Sequence, residues 1–163
     1  MKKNLPITQK EHPLTSQQRI ISSTDLKGIV THVNQDCLDI SGFSEDELLN
    51  KSHNRVRHPD MPPAAFKMLW DRLKEGHQWK GIVKNRCKNG DHYWVDAFAT
   101  PIMKDGKAVE FQSVRVLPEQ EDVRRAKALY SQLNADKPPA YLKRPPLSLA
   151  YKTAAVVISG VVL

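Results

Sequence analysis

The sequence predicts an α+β fold in which one five-stranded antiparallel sheet carries its helices on one face and encloses a ligand pocket between the two layers. Two turn signals support this prediction: Asn89-Gly90 and Asp105-Gly106 separate β-rich runs within residues 78–117, which favours a three-stranded meander. The third observation is the order of the elements, β-β-α-α-α-β-β-β, because such a chain packs most simply as one sheet covered by helices.

Local patterns predict the individual elements. The strongest helix signal begins near residue 63, because apolar residues between Phe66 and Leu73 recur at spacings of three and four. Gly76 follows as its C-terminal cap, and Ser44 with Glu47 forms a capping box at the start of a shorter helix. The predicted strands lie at 19–24, 29–34, 78–87, 92–103 and 107–117, and the predicted helices at 35–41, 44–49, 63–75 and 119–134.

Composition divides the 163 residues into four segments. Residues 1–18 are polar and contain two prolines, which predicts a flexible arm, and residues 19–117 form the domain. Residues 118–150 are a basic, proline-containing linker, and residues 151–163 begin a truncated transmembrane segment. No signal peptide is predicted, because no apolar run follows the first residues. Two cysteines are too few for a domain held together by disulfides.

The net charge of +7 is concentrated near the C-terminus, because residues 124–152 contain seven cations and one anion. The uncharged residues 153–163 are too few to cross a bilayer, which needs about 20. They are either an apolar tail or the first part of a spanning helix. The preceding cations favour the second interpretation and place the domain in the cytoplasm. Nucleic acid is not an expected partner, because the tyrosines of the basic segment are too far apart for a stacking track.

Alternation along the strand at 78–87 predicts which side chains face the pocket. Trp79 and Asn85 share one face, and the other face carries three cations, which are expected in water. A buried amide without a partner costs about 1–3 kcal/mol, so Asn85 is satisfied either by the backbone or by a ligand. Gln112 is predicted to point the same way from the last strand. Ala97 and Ala99 leave room for a flat heterocycle.

The opposite face of the middle strand carries Trp94 and Phe98. Exposed aromatic residues in a monomer usually mark a surface for a partner. Alternatively, the N-terminal arm or the helix after residue 118 covers them.

The sequence lacks the motifs of common catalytic and metal sites. It contains no glycine-rich phosphate loop, no GxSxG and no HExxH. None of the six histidines has a carboxylate or cysteine partner at metal-ligand spacing. We therefore expect no catalytic residues and no metal site, and the chain is predicted not to be an enzyme.

Two segments resemble the PAS sensor family: Ile40–Leu48 (ISGFSEDEL) and Lys88–Val95 (KNGDHYWV). A longer match is more specific. His53–Pro62 (HNRVRHPDMP) followed by Trp79–Arg86 (WKGIVKNR) resembles the branch of bacterial aerotaxis (Aer) and energy-taxis receptors. The resemblance extends over about residues 19–117 and implies a PAS fold for that domain.

The resemblance implies a cofactor, a location and partners. Members of this branch bind FAD non-covalently and sense the redox state of the electron-transport chain from the cytoplasmic side of the bacterial inner membrane. The expected partners are a second copy in a homodimer, the HAMP and methyl-accepting-type signalling region of the same receptor, and through it the histidine kinase of the chemotaxis pathway. The candidate flavin-site residues, with Gln112 added from strand alternation, are Asn34, Arg57, His58, Asp60, Trp79, Asn85 and Gln112.

Several alternatives remain at this point. Arg57 and His58 are either cations that hold the diphosphate of FAD or solvated loop charges. Asn54 is followed by Arg55 and not by the reactive cysteine of light-sensing PAS domains, so a flavin–cysteine adduct is not expected. The absence of histidine from residues 63–75 disfavours haem. The other possible functions are a PAS interaction module with haem, a small molecule or no ligand, a flavoenzyme, and a nucleic-acid binder.

Overall fold

The structure, a computed structural model, describes residues 4–140. Five strands form one antiparallel sheet in the order β2-β1-β5-β4-β3, which confirms the predicted fold class. The strands are β1 (Ile20–Thr24), β2 (Val30–Val33), β3 (Trp79–Arg86), β4 (His92–Lys104) and β5 (Lys107–Val116). The helices are α1 (Gln35–Ser41), α2 (Glu45–Leu48), a 3₁₀ helix (His53–Val56), α3 (Pro63–Lys74) and α4 (Gln120–Asn134).

The helix boundaries follow local sequence signals. α1 ends where Gly42 adopts a φ of 69°, a left-handed conformation that glycine tolerates at no steric cost. The predicted capping box opens α2, with the Ser44 amide donating to the Glu47 carboxylate at 3.0 Å. α3 begins with Pro63, whose fixed φ suits a first helical turn, and the chain leaves α3 through Gly76 at a φ of 80°.

The inner face of the sheet, which lies beneath α1 to α3, carries the hydrophobic core. The register places Val83 opposite Val95 and Trp79 opposite Ala99, so β3 and β4 present a continuous apolar surface to the helices. Val95 and Tyr93 are completely buried. The predicted inward alternation along β4 is confirmed, since Tyr93, Val95, Ala97 and Ala99 are all buried.

The prediction that the cations of the outer face lie in water is correct for only one of the three. Lys84 and Arg86 are only 5% and 6% exposed, whereas Lys80 is exposed as expected. The Lys84 ammonium pairs with Asp60 at 2.7 Å and lies 5.8 Å from the ring centroid of Trp94. The prediction failed for these two cations because α4 and the N-terminal segment cover this half of the face.

The N-terminal segment 4–18, predicted as a flexible arm, lies against the domain in the structure. Backbone hydrogen bonds join it to β4 at His92 and to the turn between β3 and β4 at Gly90. The side chain of Leu14 is buried in the core. Nδ2 of Asn4 donates to the carbonyl oxygen of Arg57 at 3.0 Å. This segment therefore closes one edge of the outer face.

The predicted helix at 119–134 is confirmed as α4, which packs on the outer face of the sheet. The Tyr130 ring stacks on Trp94 with a centroid separation of 6.5 Å, and its hydroxyl donates to a backbone carbonyl of β3. Nδ2 of Asn134 donates to the carbonyl oxygen of Asp60 at 2.7 Å. Trp94 is consequently buried, while Phe98 is 40% exposed. The helix thus covers one of the two aromatic residues that were expected at the surface.

The end of the predicted linker and the apolar segment 151–163 lie outside the described residues. Within residues 4–140, no helix combines the length and the hydropathy that crossing a membrane requires.

Candidate functional site

A cavity of about 50 Å³ lies between α3, the 3₁₀ helix and the inner face of the sheet. Aromatic side chains of α3, including Phe66 and Trp70, line it from the helix side, and the small Ala97 and Ala99 line it from β4. The lining contains no carboxylate. Four of the seven candidate residues contribute to it, namely Arg57, Trp79, Asn85 and Gln112.

Five buried polar atoms of this lining have no hydrogen-bond partner among the described residues. They are Oγ1 of Thr24, Nε of Arg57, Nε1 of Trp79, Nδ2 of Asn85 and Nη1 of Arg115. Buried polar groups are nearly always hydrogen-bonded, and each exception costs about 1–3 kcal/mol. Four of the five atoms are N–H donors, so the cavity is suited to a ligand that presents several acceptors.

Asn85 lies in the second half of β3 and is 2% exposed. It pairs with Tyr93 of β4 and forms an isolated backbone bridge with Arg57, so β3 positions two of the candidates together. The prediction that its side chain points inward is confirmed. Because Nδ2 has no partner, the alternative in which the backbone satisfies this amide does not hold for its donor group.

Arg57 forms the wall of the cavity below α3 and is 6% exposed. Its guanidinium donates to the carbonyl oxygen of Met61 and lies 5.0 Å from the ring centroid of Phe66. Burial lowers the pKa of this guanidinium from its usual high value. Arg57 is therefore a buried cation and not a solvated loop charge.

Arg115 is a cavity residue that the sequence analysis missed. It is 2% exposed, and its guanidinium donates to the hydroxyl groups of Ser113, at 3.0 Å, and Ser22. It also contacts Nε2 of His53 at 2.9 Å. Burial and the charge of Arg115 lower the pKa of His53 to about 3, so the imidazole is neutral and accepts this hydrogen bond.

The register of β5 explains why Arg115 was missed. Ser113 pairs with Ala99, and Arg115 pairs with Ala97, so these residues share the inner face. Gln112 pairs with Thr100 at the alternate position. The prediction that Gln112 presents a second amide on the face of Asn85 is therefore wrong, although Gln112 does border the cavity. Arginine usually lies at the protein surface, so the sequence of β5 gives no sign that Arg115 points inward.

Asn34 does not line the cavity. Its Oδ1 accepts hydrogen bonds from the amides of Ile21, at 2.9 Å, and Cys37, at 3.2 Å, and its Nδ2 donates to the carbonyl oxygen of Arg19 at 2.7 Å. It is the N-cap of α1, and both ends of its side chain are already bonded.

His58 and Asp60 lie on the other side of the loop, at the outer face of the sheet. Nδ1 of His58 accepts from the Asp60 amide at 3.1 Å, and the His58 ring is 5.7 Å from that of His92. Burial and the charge of Lys84 lower the pKa of His58 to about 4. Since Arg57 lines the cavity and His58 does not, the geometry gives no support to a diphosphate held by both.

Among the described residues, the remaining reactive groups show no metal-binding arrangement. Cys37 and Cys87 are both buried and free, and burial raises the pKa of the Cys87 thiol to about 11. Over residues 4–140, no three His, Cys, Asp or Glu side chains are grouped so that they could hold a metal ion. The cavity offers hydrogen-bond donors and positive charge.

Comparisons with known proteins identify the family. Residues 30–115 match the family model of the PAS fold. The chain is 45% identical over 131 residues to the aerotaxis receptor of Escherichia coli, a match that covers 80% of this chain and 26% of the receptor. It is 27% identical over 84 residues to the biofilm dispersion protein BdlA of Pseudomonas aeruginosa, with 51% of this chain and 20% of BdlA covered. The chain thus spans about a quarter or less of these relatives.

Solved structures show the same fold at low sequence identity. The dark structure of the blue-light photoreceptor Aureochrome1 LOV has a TM-score of 0.60 and 19% identity, and the match covers 74% of this chain and 88% of that one. The LOV domain of a blue-light activated histidine kinase from Erythrobacter litoralis has a TM-score of 0.56 and 16% identity, with 62% and 96% covered.

The matched relatives are named as a receptor, a nitrogen fixation regulatory protein and a biofilm dispersion protein, which is consistent with the prediction that this domain is not an enzyme. The fold, the family match and the identity to the aerotaxis receptor together lead to one conclusion: the chain belongs to the PAS family, and its PAS domain resembles that of the aerotaxis receptor over most of its length.

Proposed function

We propose that the PAS domain binds a flavin, in the form of FAD, in the inner cavity and acts as the cytoplasmic redox-sensing module of a membrane chemotaxis receptor. The observation that carries this proposal is the set of five unpaired polar atoms around one cavity. The polar edge of an oxidised flavin ring presents two carbonyl oxygens and the unprotonated nitrogens N1 and N5, which would accept from the N–H groups of Asn85 and Arg57, whereas its N3–H is a donor.

The ring of a flavin is larger than a cavity of about 50 Å³, so side chains have to move when it binds. Trp79 is the side chain best placed to do so. A Cβ on Gly81 would lie 2.6 Å from the Trp79 ring, which shows that the indole folds over Gly81 along the inner face of β3. Turning the indole away would enlarge the cavity without moving the backbone.

A second cleft adjoins the cavity and suits the phosphate end of FAD. It has a volume of about 600 Å³ and shares Phe66 and Trp70 with the cavity. Lys27 and Lys67 line it, and because Lys67 already pairs with Asp71, Lys27 is the cation left to contact a phosphate. We propose that this cleft, and not a pair of Arg57 and His58, receives the diphosphate. Lys27→Ala should then weaken binding of FAD about tenfold and leave binding of riboflavin, which has no phosphate, unchanged.

Flavin supplies a centre that accepts and returns electrons at physiological potentials. Asn85 presents both a carbonyl oxygen and an NH₂ group, so rotation of its amide exchanges an acceptor for a donor at the cavity wall. Such a rotation would let β3 respond to a change of protonation in the ligand. The domain could report a ligand state only through contacts that differ between the two states.

The role of the whole protein rests on the relatives. The 45% identity to the aerotaxis receptor supports a place in chemotaxis signalling, and the 27% identity to BdlA over 84 residues is weaker support of the same kind. We propose a homodimeric receptor in the bacterial inner membrane, whose PAS domain faces the cytoplasm and acts through a HAMP and methyl-accepting-type region on the chemotaxis histidine kinase. The predicted membrane anchor is part of this proposal.

The visible spectrum of the purified chain tests the cofactor. Oxidised flavin, haem and an empty pocket give distinct spectra, and chromatography of the released cofactor separates FAD from FMN. Asn85→Ala should lower flavin affinity about tenfold through the loss of one hydrogen bond in a buried site. Gln132→Ala is the matched control, because it removes an exposed amide of α4 that does not line the cavity.

Haem or no chromophore in the wild-type chain would refute the flavin proposal and favour a PAS interaction module. Equal loss of flavin in Asn85→Ala and Gln132→Ala would refute the assignment of Asn85 as the ring-binding amide.

A further inference from the structure

Two buried guanidiniums line the inner cavity without a carboxylate to balance them. Arg115 is 2% exposed and Arg57 is 6% exposed. Among the described residues, neither forms a salt bridge. Arginine is almost never fully buried unless it is paired, because removing a cation from water costs several kcal/mol. The cavity therefore carries an excess of positive charge.

The ionisable neighbours of Arg115 are neutral at physiological pH. Burial raises the pKa of the Cys37 thiol and of the Tyr93 hydroxyl, so neither becomes an anion. The low pKa of His53, about 3, keeps that ring neutral as well. These groups and the serine hydroxyls provide dipoles around the guanidinium, but none of them supplies the missing negative charge.

Arg115 is better placed than Arg57 to act on a ligand. Its guanidinium is fixed by Ser22, Ser113 and His53 from three separate elements, and its Nη1 still has no partner among the described residues. The guanidinium of Arg57 also keeps one unpaired N–H, at Nε, but among the described residues it is held only by the Met61 carbonyl and the Phe66 ring. A cation held in place by its neighbours needs no reorganisation when negative charge develops beside it.

We propose that Arg115 is a specificity-determining residue that makes the cavity bind the anionic reduced flavin more tightly than the neutral oxidised flavin. This inference rests on the proposed function above. Reduction of the oxidised ring by two electrons and one proton gives a monoanion, and a second proton would give the neutral reduced ring. A nearby cation favours the anion, so the second proton stays in solution.

The experiment is a redox titration of the FAD-loaded chain, with dithionite as the reductant and a set of dyes as potential indicators, repeated at several pH values. As the pH rises, the number of protons that each flavin takes up on reduction falls from two to one. The pH at the midpoint of this change is the pKa of the reduced ring. Free FAD in the same buffer gives the reference. For the wild-type chain and Arg115→Lys, this pKa should lie below that of free FAD by at least about one pH unit, a factor of ten.

Arg115→Gln should return this pKa toward the value of free FAD. It should also reduce the preference for reduced over oxidised FAD about tenfold, which corresponds to a fall in the midpoint potential of about 30 mV for a two-electron couple. Arg86→Gln is the matched control. Arg86 is also buried but does not line the cavity, so the removal of its charge should leave the midpoint potential unchanged.

The outcomes separate this inference from the proposal on which it rests. A wild-type chain that binds no flavin refutes the proposed function. A wild-type chain that binds FAD, but whose reduced ring takes up its second proton at the same pH as free FAD, refutes the role of Arg115 without the need for any variant. Equal shifts in Arg115→Gln and Arg86→Gln would refute it too.

Discussion

The alanine substitution of Asn34 tests whether this residue belongs to the fold or to the ligand site. Its side chain makes three hydrogen bonds, two accepted by Oδ1 and one donated by Nδ2, and they join α1 to β1 and to the residue before it. Loss of an N-cap costs about 0.5–2 kcal/mol, and each further hydrogen bond contributes about 1 kcal/mol. With one cap bond and two further hydrogen bonds lost, we expect Asn34→Ala to lower the free energy of unfolding by about 2.5–4 kcal/mol.

Urea denaturation followed by circular dichroism measures this loss. With a slope of about 2 kcal/mol per molar urea, the midpoint should fall by about 1–2 M. The flavin bound per folded molecule should stay at the wild-type level, because Asn34 does not line the cavity. Asn34→Asp is the matched control, since it keeps the acceptor oxygen of the cap and should recover part of the stability.

The opposite pattern would refute this reasoning. If Asn34→Ala kept the wild-type urea midpoint and lost its flavin, the residue would belong to the ligand site, as the resemblance implies, and its hydrogen bonds would contribute little to folding.

Three further predictions concern the contact between α4 and β3, the buried histidines and the indole of Trp79. Tyr130→Phe removes the hydroxyl that joins α4 to β3 and should lower the free energy of unfolding by about 1 kcal/mol in urea; an unchanged midpoint would mean that ring stacking alone holds the helix. The pKa values of His58 and His92 are both lowered from 6.5 to about 4 by burial, with Lys84 as a nearby charge. The unfolded chain therefore binds protons first, so stability should be complete above about pH 6.5 and fall as the pH decreases toward about 4; a flat profile of the urea midpoint would contradict the burial of both rings. Gly81→Ala places a Cβ 2.6 Å from the indole of Trp79, so it should change the fluorescence of Trp79 and the affinity of the domain for flavin. Gly106→Ser, at an open turn, should change neither quantity.

Much of the fold was predictable because its signals are local. The turns at Asn89-Gly90 and Asp105-Gly106 connect β3, β4 and β5, and the capping box of Ser44 and Glu47 opens α2. The alternation of β4 was also predicted correctly. Each of these features depends on residues only a few positions apart.

The errors concern contacts between distant segments. Lys84 was expected in water because its sequence neighbours do not show that Tyr130 and the N-terminal segment cover the same face. The inner face of β5 was misread because Arg115 is hydrogen-bonded inside the fold by neutral partners from β1, the 3₁₀ helix and β5 itself. A single sequence does not contain the register that places these groups together.

The loop of residues 57–60 is hydrogen-bonded to segments near both ends of the described residues. Near the N-terminus, Asn4 bonds to the carbonyl oxygen of Arg57, and near the C-terminal end of α4, Asn134 bonds to the carbonyl oxygen of Asp60. The side chain of Arg57 lines the cavity from the same loop. A shift of this backbone by an ångström would stretch both hydrogen bonds, each contributing about 1 kcal/mol. The loop therefore couples the cavity to both segments. A change in the shape of the cavity that moves the loop would weaken the contacts of Asn4 and of Asn134 at the same time.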